Sequence, residues 1–427
     1  MFKSANPLRP SYKWEMLTLL SLAFFLNQAD RAIYGVVLPH IREDLGLTAS
    51  QVGLVGTILF WTMGVMIPFA GFVGDRVPKA PLITFCLFFW SISTLFTGAV
   101  GGILGLILLR SVATGGSEAF YAPSAYALMA KFHTTTRSIA LSIHQAAFYT
   151  GIITSGFLAG GIAEKWGWRH AFYIYGGCGV VLGVVFLFRL RDTRGATLQT
   201  AGQAAAPQPA AEPPPSFRES FLLVFRVPTA LLIACGFAAL NSVHTAHIVF
   251  GSELFLEKFP KLSLTQAGFY SMSIHYSFAF VGIIAGAALS DWMVRRRPGF
   301  RLEMQTLSMI LGAPAIVWMG LSPDLFSICA AMAVFGLMRG FYESNTQAAL
   351  FDVIPPRFRA MSWAVVGLIG LAPSSFSPLV MGMVKGRFPE HGYACGFACM
   401  GILWVLGAIA ILVARTRTFK RDRIALC

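Results

Sequence analysis

Charge is what this 427-residue sequence has least of: 12% of its residues are Asp, Glu, Lys or Arg, about half the share found in ordinary soluble domains. That shortage excludes a soluble enzyme, because a water-facing surface of this size needs far more ionised side chains. Acidic residues are the scarcer kind, 19 against 33 basic. The resulting +14 would fit a nucleic-acid partner in a soluble protein, and the location of the charges decides against that below. The seven cysteines stand singly, mostly inside apolar runs, with no CxxC pair and no His/Cys cluster at metal-ligand spacing. Neither a disulfide framework nor a metal site is expected. The sequence also lacks a nucleophile elbow and a phosphate-cradling loop, so no enzyme activity and no cofactor are expected. The first apolar run, from Met16 to Leu38, has no small-residue cleavage site and is too long for a signal-peptide core. It reads as a retained membrane helix.

What the sequence has is 56% hydrophobic residues, gathered into long runs. One helical crossing of a bilayer needs about 20 apolar residues. Runs of that kind occupy 16–38, 50–73, 80–100, 104–130, 138–163, 170–188, 228–250, 266–289, 305–321, 326–350, 360–384 and 394–413, the ninth being interrupted by Gly312 and Pro314. The fold class is therefore an all-α membrane protein of twelve transmembrane helices. Between the sixth and seventh runs lies an Ala/Pro-rich stretch containing Pro207, Pro209, Pro213, Pro214 and Pro215, the composition of a semi-rigid linker. The expected organisation is an N-terminal six-helix bundle over 1–190, a linker over 191–217 and a C-terminal six-helix bundle over 218–427. The halves echo each other. Arg137, Ala140 and Ser142 after the fourth helix are matched by Arg357, Ala360 and Ser362 after the tenth, and Asp75 after the second by Asp291 after the eighth. Two repeated bundles with a site between them is a transporter layout.

Most basic residues fall at the termini and in the even-numbered breaks. The odd-numbered breaks carry only Arg42, Lys165, Arg169, Lys258, Lys261, Lys385 and Arg387. The positive-inside rule then puts both termini and the linker in the cytoplasm of a cell (inner) membrane. On this assignment the whole basic excess is an orientation signal, and the lipid bilayer, with no nucleic acid, is the expected partner of a chain that works as a monomer.

Six charges remain inside the runs: Asp30 and Arg31 in the first helix, Arg110 and Glu118 in the fourth, Arg339 and Glu343 in the tenth. Each costs at least about 2.5 kcal/mol near the bilayer centre, so such residues face a cavity and pair. At 1.5 Å per residue, Asp30 and Glu118 both lie ~21 Å from the starts of antiparallel helices, close to the midplane. Arg339 and Glu343 are spaced to pair along one helix face. Low dielectric favours a protonated carboxyl and a nearby arginine favours an ionised one, so an acid beside a competing arginine is a proton switch. Asp30, Glu118 and Glu343 are the candidate proton-coupling residues. The planar fork of arginine suits a carboxylate, phosphate or sulfate, which makes Arg31, Arg110 and Arg339 candidate anion hooks. His144, Gln145, Tyr149, Asn241, His244, Tyr276, Tyr342 and Asn345 also lie in the helices and could serve as uncharged partners of a polyol or sugar acid, ordinary interhelical hydrogen bonding being the competing reading of each. His244 and His247 are spaced i, i+3, without a third metal ligand nearby.

The break after the second helix reads Gly71, Asp75, Arg76, Pro78, Lys79. It resembles the cytoplasmic signature of the major facilitator superfamily, with Pro78 where glycine is usual. The resemblance implies a gating latch at Gly71, Asp75, Arg76 and Lys79, weakly repeated at Asp291. Asn27 to Arg31 with Leu38 to Leu45, Arg110 with Gly116 to Ala119 and Pro123, and Gly167 to Phe172 resemble two branches of that superfamily: the anion:cation symporters and the spinster-like lipid transporters. Ser117 departs from a common uninterrupted Gly-Glu. The resemblance implies the major facilitator fold, coupling and substrate-binding roles for Asp30, Arg31, Arg110 and Glu118, and transport by alternating access. The expected activity is proton-coupled symport of a small organic anion such as a sugar acid. Transport of lysolipids or amphipathic compounds is the alternative.

Overall fold

The computed structural model describes residues 11–133, 135–192 and 216–424, and among them every regular element is helical. Most of the linker, residues 193–215, lies outside the described residues. Six long helices form the first half: α1 (Tyr12–Leu45), α2 (Ala49–Arg76), α3 (Lys79–Thr97), α4 (Ile103–Phe132), α5 (Arg137–Trp166) and α6 (Trp168–Arg189). The second half repeats them as α7 (Pro228–Lys258), α8 (Leu264–Val294), α9 (Phe300–Leu321), α10 (Leu325–Phe351), α11 in two segments (Arg359–Ser374 and Ser377–Arg387) and α12 (Gly392–Asp422). Eleven of these helices are long and apolar enough to cross a membrane. The other is α1, whose 34 residues are more than long enough but whose middle carries Asn27, Gln28, Asp30 and Arg31. Polar residues at the site itself dilute its hydropathy.

Packing repeats with the helices. In the first half α1 packs on α5, α3 on α6 and α4, and α2 on α4; in the second, α7 packs on α11, α9 on α12 and α10, and α8 on α10. Each pair is carried onto its counterpart by adding six to the helix number, which defines two pseudo-symmetric six-helix bundles. The bundles meet where α2 packs on α11, α5 on α8 and α1 on α7. These seams are built on small residues. A Cβ on Gly156 would stand 2.6 Å from the Gly268 carbonyl oxygen, and one on Gly53 would strike the Pro378 carbonyl, so backbone meets backbone as in small-residue packing of membrane helices.

Local chemistry explains several departures from the sequence expectation. Gly312 does not break α9: its missing side chain leaves room for the Trp404 ring of α12. The expected single run at 360–384 is divided after Ser374, between Pro373 and Pro378, where the freed Ser374 carbonyl accepts from Thr245 Oγ1 at 2.8 Å. Where the expected linker meets the second bundle, a short helix, Phe217–Arg226, precedes α7, its start closed by a Ser216–Glu219 capping box. Both α1 and α7 outrun their apolar cores, so Arg42, Glu253 and Glu257, expected in breaks, are helical.

With an even number of crossings, the chain starts and ends on one face. Toward that face the bundles part: the apolar core around Met16, Leu20, Trp90, Tyr121 and Leu128 belongs to the first bundle alone, whereas the main core runs through both. On the opposite face Arg42 of α1 reaches across to Glu253 of α7, at 3.0 and 3.1 Å, and to the Tyr393 hydroxyl of α12 at 3.2 Å. The molecule is closed on the face distal to its chain ends.

Candidate functional site

The six charges inside the apolar runs resolve into three ion pairs. In α4 the stretch Leu106–Ala113 is π-helical, a wide turn of the kind common at functional sites, and it carries Arg110 inward. Arg110 Nη1 donates to Asp30 Oδ2 at 2.8 Å and Nη2 to the Asp30 carbonyl at 2.7 Å. Thr94 of α3 adds a hydroxyl donor to the same carboxylate oxygen at 2.9 Å. One turn or so away, Arg31 Nε donates to Glu118 Oε2 at 2.7 Å. Neighbours in sequence thus serve different partners: Asp30 takes Arg110, Arg31 takes Glu118.

The third pair lies in the second bundle. Arg339 Nη2 donates to Glu343 Oε1 at 3.1 Å, one helical turn on. Its Nη1 donates to His244 Nδ1 and to His275 Nε2, each at 3.1 Å, and the guanidinium sits 5.2 Å from the centre of the Tyr276 ring. The Tyr276 hydroxyl is 3.1 Å from His244 Nδ1. Tyr149 comes from α5 of the other bundle and donates to Glu343 Oε2 at 3.1 Å. This is a cross-bundle hydrogen bond at the level of the charges.

Exposure separates these residues. The side chains of Arg110 and Glu118 are fully buried, those of Arg339 and Asp30 are 2% and 4% exposed, while Arg31 keeps 18% and Glu343 25%. Of the three candidate anion hooks, Arg31 alone is open; Arg110 and Arg339 are enclosed by protein partners. Gln145 is half-buried. Four expected substrate contacts are occupied elsewhere. His144 is stacked 4.3 Å from the Phe24 ring and bonded to the Tyr121 hydroxyl at 3.2 Å. Asn241 donates to the Phe237 carbonyl of its own helix at 2.8 Å. Tyr342 is buried with its hydroxyl against Gly236. Asn345 accepts from Ser290 Oγ and donates to the Phe341 carbonyl at 2.9 Å. These four pack within single bundles. Thr94 and the Arg42–Glu253 pair were not anticipated. A threonine in an apolar run gives no signal, and the acidic end of α7 reads as loop.

In the expected gating motif, the side chain of Asp75 and the surroundings of Gly71 lie outside what the structure describes. Around the rest of it, Asp192 accepts the Lys79 backbone N–H at 2.6 Å and Lys131 Nζ at 3.2 Å. In the second half Arg301 stands 3.7 Å from the exposed Asp291 and donates to both oxygens of Asp352 at 2.8 Å.

Two pseudo-symmetric bundles around three ion pairs have the layout of a membrane transport protein. The family model described as Major Facilitator Superfamily matches residues 20–378. The chain belongs to that superfamily. It is 26% identical to an MFS-type efflux pump of Mycolicibacterium smegmatis, over 97% of this chain and 95% of that one. It is 24% identical to the D-galactonate transporter of Escherichia coli, over 96% of each. Among solved structures it is similar to a bacterial homologue of the human lysosomal transporter Spinster in an inward-facing, unoccupied conformation, with a TM-score of 0.83, 20% identity and coverage of 99% of this chain and 100% of that one. The curated relatives thus include a sugar-acid transporter, and the Spinster homologue shares the fold.

Proposed function

We propose that the chain is a proton-coupled symporter of a small organic anion, a sugar acid or another carboxylate, working by alternating access with both termini in the cytoplasm. The observation that carries this reading is the Arg31–Glu118 pair: an open arginine held by a fully buried carboxylate. A substrate carboxylate arriving at Arg31 competes with Glu118 for the same guanidinium fork. Glu118, released from its partner in low dielectric, takes a proton. Substrate and proton then enter the closing site together, and neither alone leaves the charges balanced. Asp30, held by Arg110 and Thr94, is the neighbouring acid through which the proton passes between partners. The enclosed charges bias two global arrangements of the bundles, and the ligand shifts their populations through its different affinity for each.

The relatives support an anionic cargo through the name of the D-galactonate transporter, and the similarity to the Spinster homologue supports the fold. Uptake into proteoliposomes tests the coupling: an inward proton gradient should accelerate sugar-acid entry, and Glu118→Gln should flatten the pH profile. Uptake indifferent to the gradient, with an unaltered profile in the variant, refutes it. Competition of the labelled acid by sugar acids but not by lysophospholipids separates this cargo from a lipid.

A further inference from the structure

We infer that the site selects a monoanionic polyhydroxy acid, one end held by Arg31 and the distal hydroxyl groups by Glu343, and that it discriminates against the dicarboxylate of the same carbon skeleton. This deepens, and rests on, the organic-anion reading above. Of the six charges, the two least buried have opposite signs and come from opposite bundles, Arg31 of α1 and Glu343 of α10, and Glu343 takes a hydrogen bond across the seam from Tyr149. The site therefore has a cationic wall and an anionic wall.

Arg339 offsets part of the Glu343 charge but is not itself available to an incoming carboxylate. That guanidinium is walled in, with Nη1 between His244 and His275 and Nη2 on Glu343. A guanidinium can only donate, so His244 Nδ1 and His275 Nε2 accept, and both imidazoles are neutral. The partly exposed His244 then carries its proton on Nε2, adding a donor to this wall. Glu343 has one oxygen on Arg339 and the other on Tyr149, and each oxygen keeps a lone pair for a further donor. Hydroxyl groups satisfy those lone pairs. A second substrate carboxylate instead meets a like charge in a site partly withdrawn from water, a repulsive element of the kind that sets specificity. Holding one end of the cargo on each bundle also ties recognition of the whole molecule to closure.

Thermal shift of the detergent-purified full-length protein, titrated with gluconate and with glucarate at neutral pH, tests this, because the acids differ only in the distal group and a ligand of the folded state raises its stability. Gluconate should bind at least about tenfold more tightly than glucarate, a difference of ~1.4 kcal/mol. E343Q should bring the two to within about threefold by improving glucarate, and E343D should keep the wild-type ratio. Glucarate binding as tightly as gluconate to the wild type, or an unchanged ratio in E343Q, overturns the inference. If neither acid stabilises the wild type while a lysophospholipid does, the organic-anion reading falls and this inference with it. The wild-type ratio, repeated with galactonate against galactarate, decides alone if E343Q does not purify as a monodisperse peak.

Discussion

The ion pair that closes the distal face can be removed without touching the transport site, and the size of the response follows from its geometry. Arg42 Nη1 lies 3.0 and 3.1 Å from the two oxygens of Glu253. At an effective dielectric of about 20, two unit charges that close attract by about 5 kcal/mol, most of which is offset by their desolvation. A charge-assisted hydrogen bond nets about 1.5–3 kcal/mol. The side chain of Arg42 is 26% exposed and that of Glu253 9%, so the lower end, about 1.5 kcal/mol, applies. Because the two residues belong to different bundles, that energy stabilises the distal-closed arrangement specifically. Glu253→Gln should then raise the ratio of distal-open to distal-closed molecules about tenfold. Spin labels on the exposed positions Glu43 and Arg387, in a background without native cysteines, report the distance across this seam by pulsed electron resonance. The variant should gain a longer-distance population that the parent shows at about one-tenth the amount, with the melting temperature of each bundle's core little changed. An unaltered distance distribution, or one that shortens, refutes the assignment of this pair as a latch.

Three further outcomes follow from other parts of the molecule. Asp30→Asn leaves the fully buried Arg110 without a counter-charge, and detergent-purified protein should lose about 3 kcal/mol of stability, read as a lowered melting temperature. Thr94→Val should cost only about 1 kcal/mol. Arg31→Lys keeps the charge but not the fork, so KM for the transported acid should rise at least about tenfold at unchanged melting temperature; an unchanged KM rejects Arg31 as the anion hook. Gly156→Leu places a side chain where the Gly268 backbone stands, and the α5–α8 seam should open, measured as increased labelling of a cysteine introduced at Ser273, which is buried there against the Ile153 carbonyl.

The spans were legible because a bilayer demands about 20 apolar residues per crossing, and the midplane charges because nothing else tolerates them there. How those charges pair was not legible. Asp30 and Arg31 are adjacent, about 100° apart on the helix, and adjacency cannot say which faces Arg110 and which Glu118. The π-helical turn at Leu106–Ala113 shifts the phase of Arg110 against Glu118, so regular helix geometry misplaces one or the other. In α10 helical phase is informative. Glu343 falls about 40° from Arg339 and shares its face, whereas Asn345 falls about 120° away, and its bonds to Ser290 and the Phe341 carbonyl are what that phase implies.

The distal latch was missed for a different reason, and the reason says how the two faces are held. Hydropathy ends a span at its first charges, so Arg42 and Glu253 were assigned to loops. In the folded chain α1 and α7 continue as helices past their apolar cores, to Leu45 and Lys258. Helices that extend beyond the apolar core keep a fixed phase there, and a fixed phase is what allows single side chains of two bundles to meet. Lys385 and Glu257 form a second such pair at 2.5 Å, with the Ala394 backbone N–H donating to the same carboxylate at 3.0 Å. That pair joins α7 to α11 and α12 within one bundle, so it braces Glu253's helix rather than latching the seam. Lys385→Gln should therefore lower stability without changing the distance between Glu43 and Arg387, whereas Glu253→Gln should change the distance. The same label pair separates a brace from a latch, and equal responses of the two variants would mean that the distal face is held by bulk packing at Gly53 and Gly156 and not by charge.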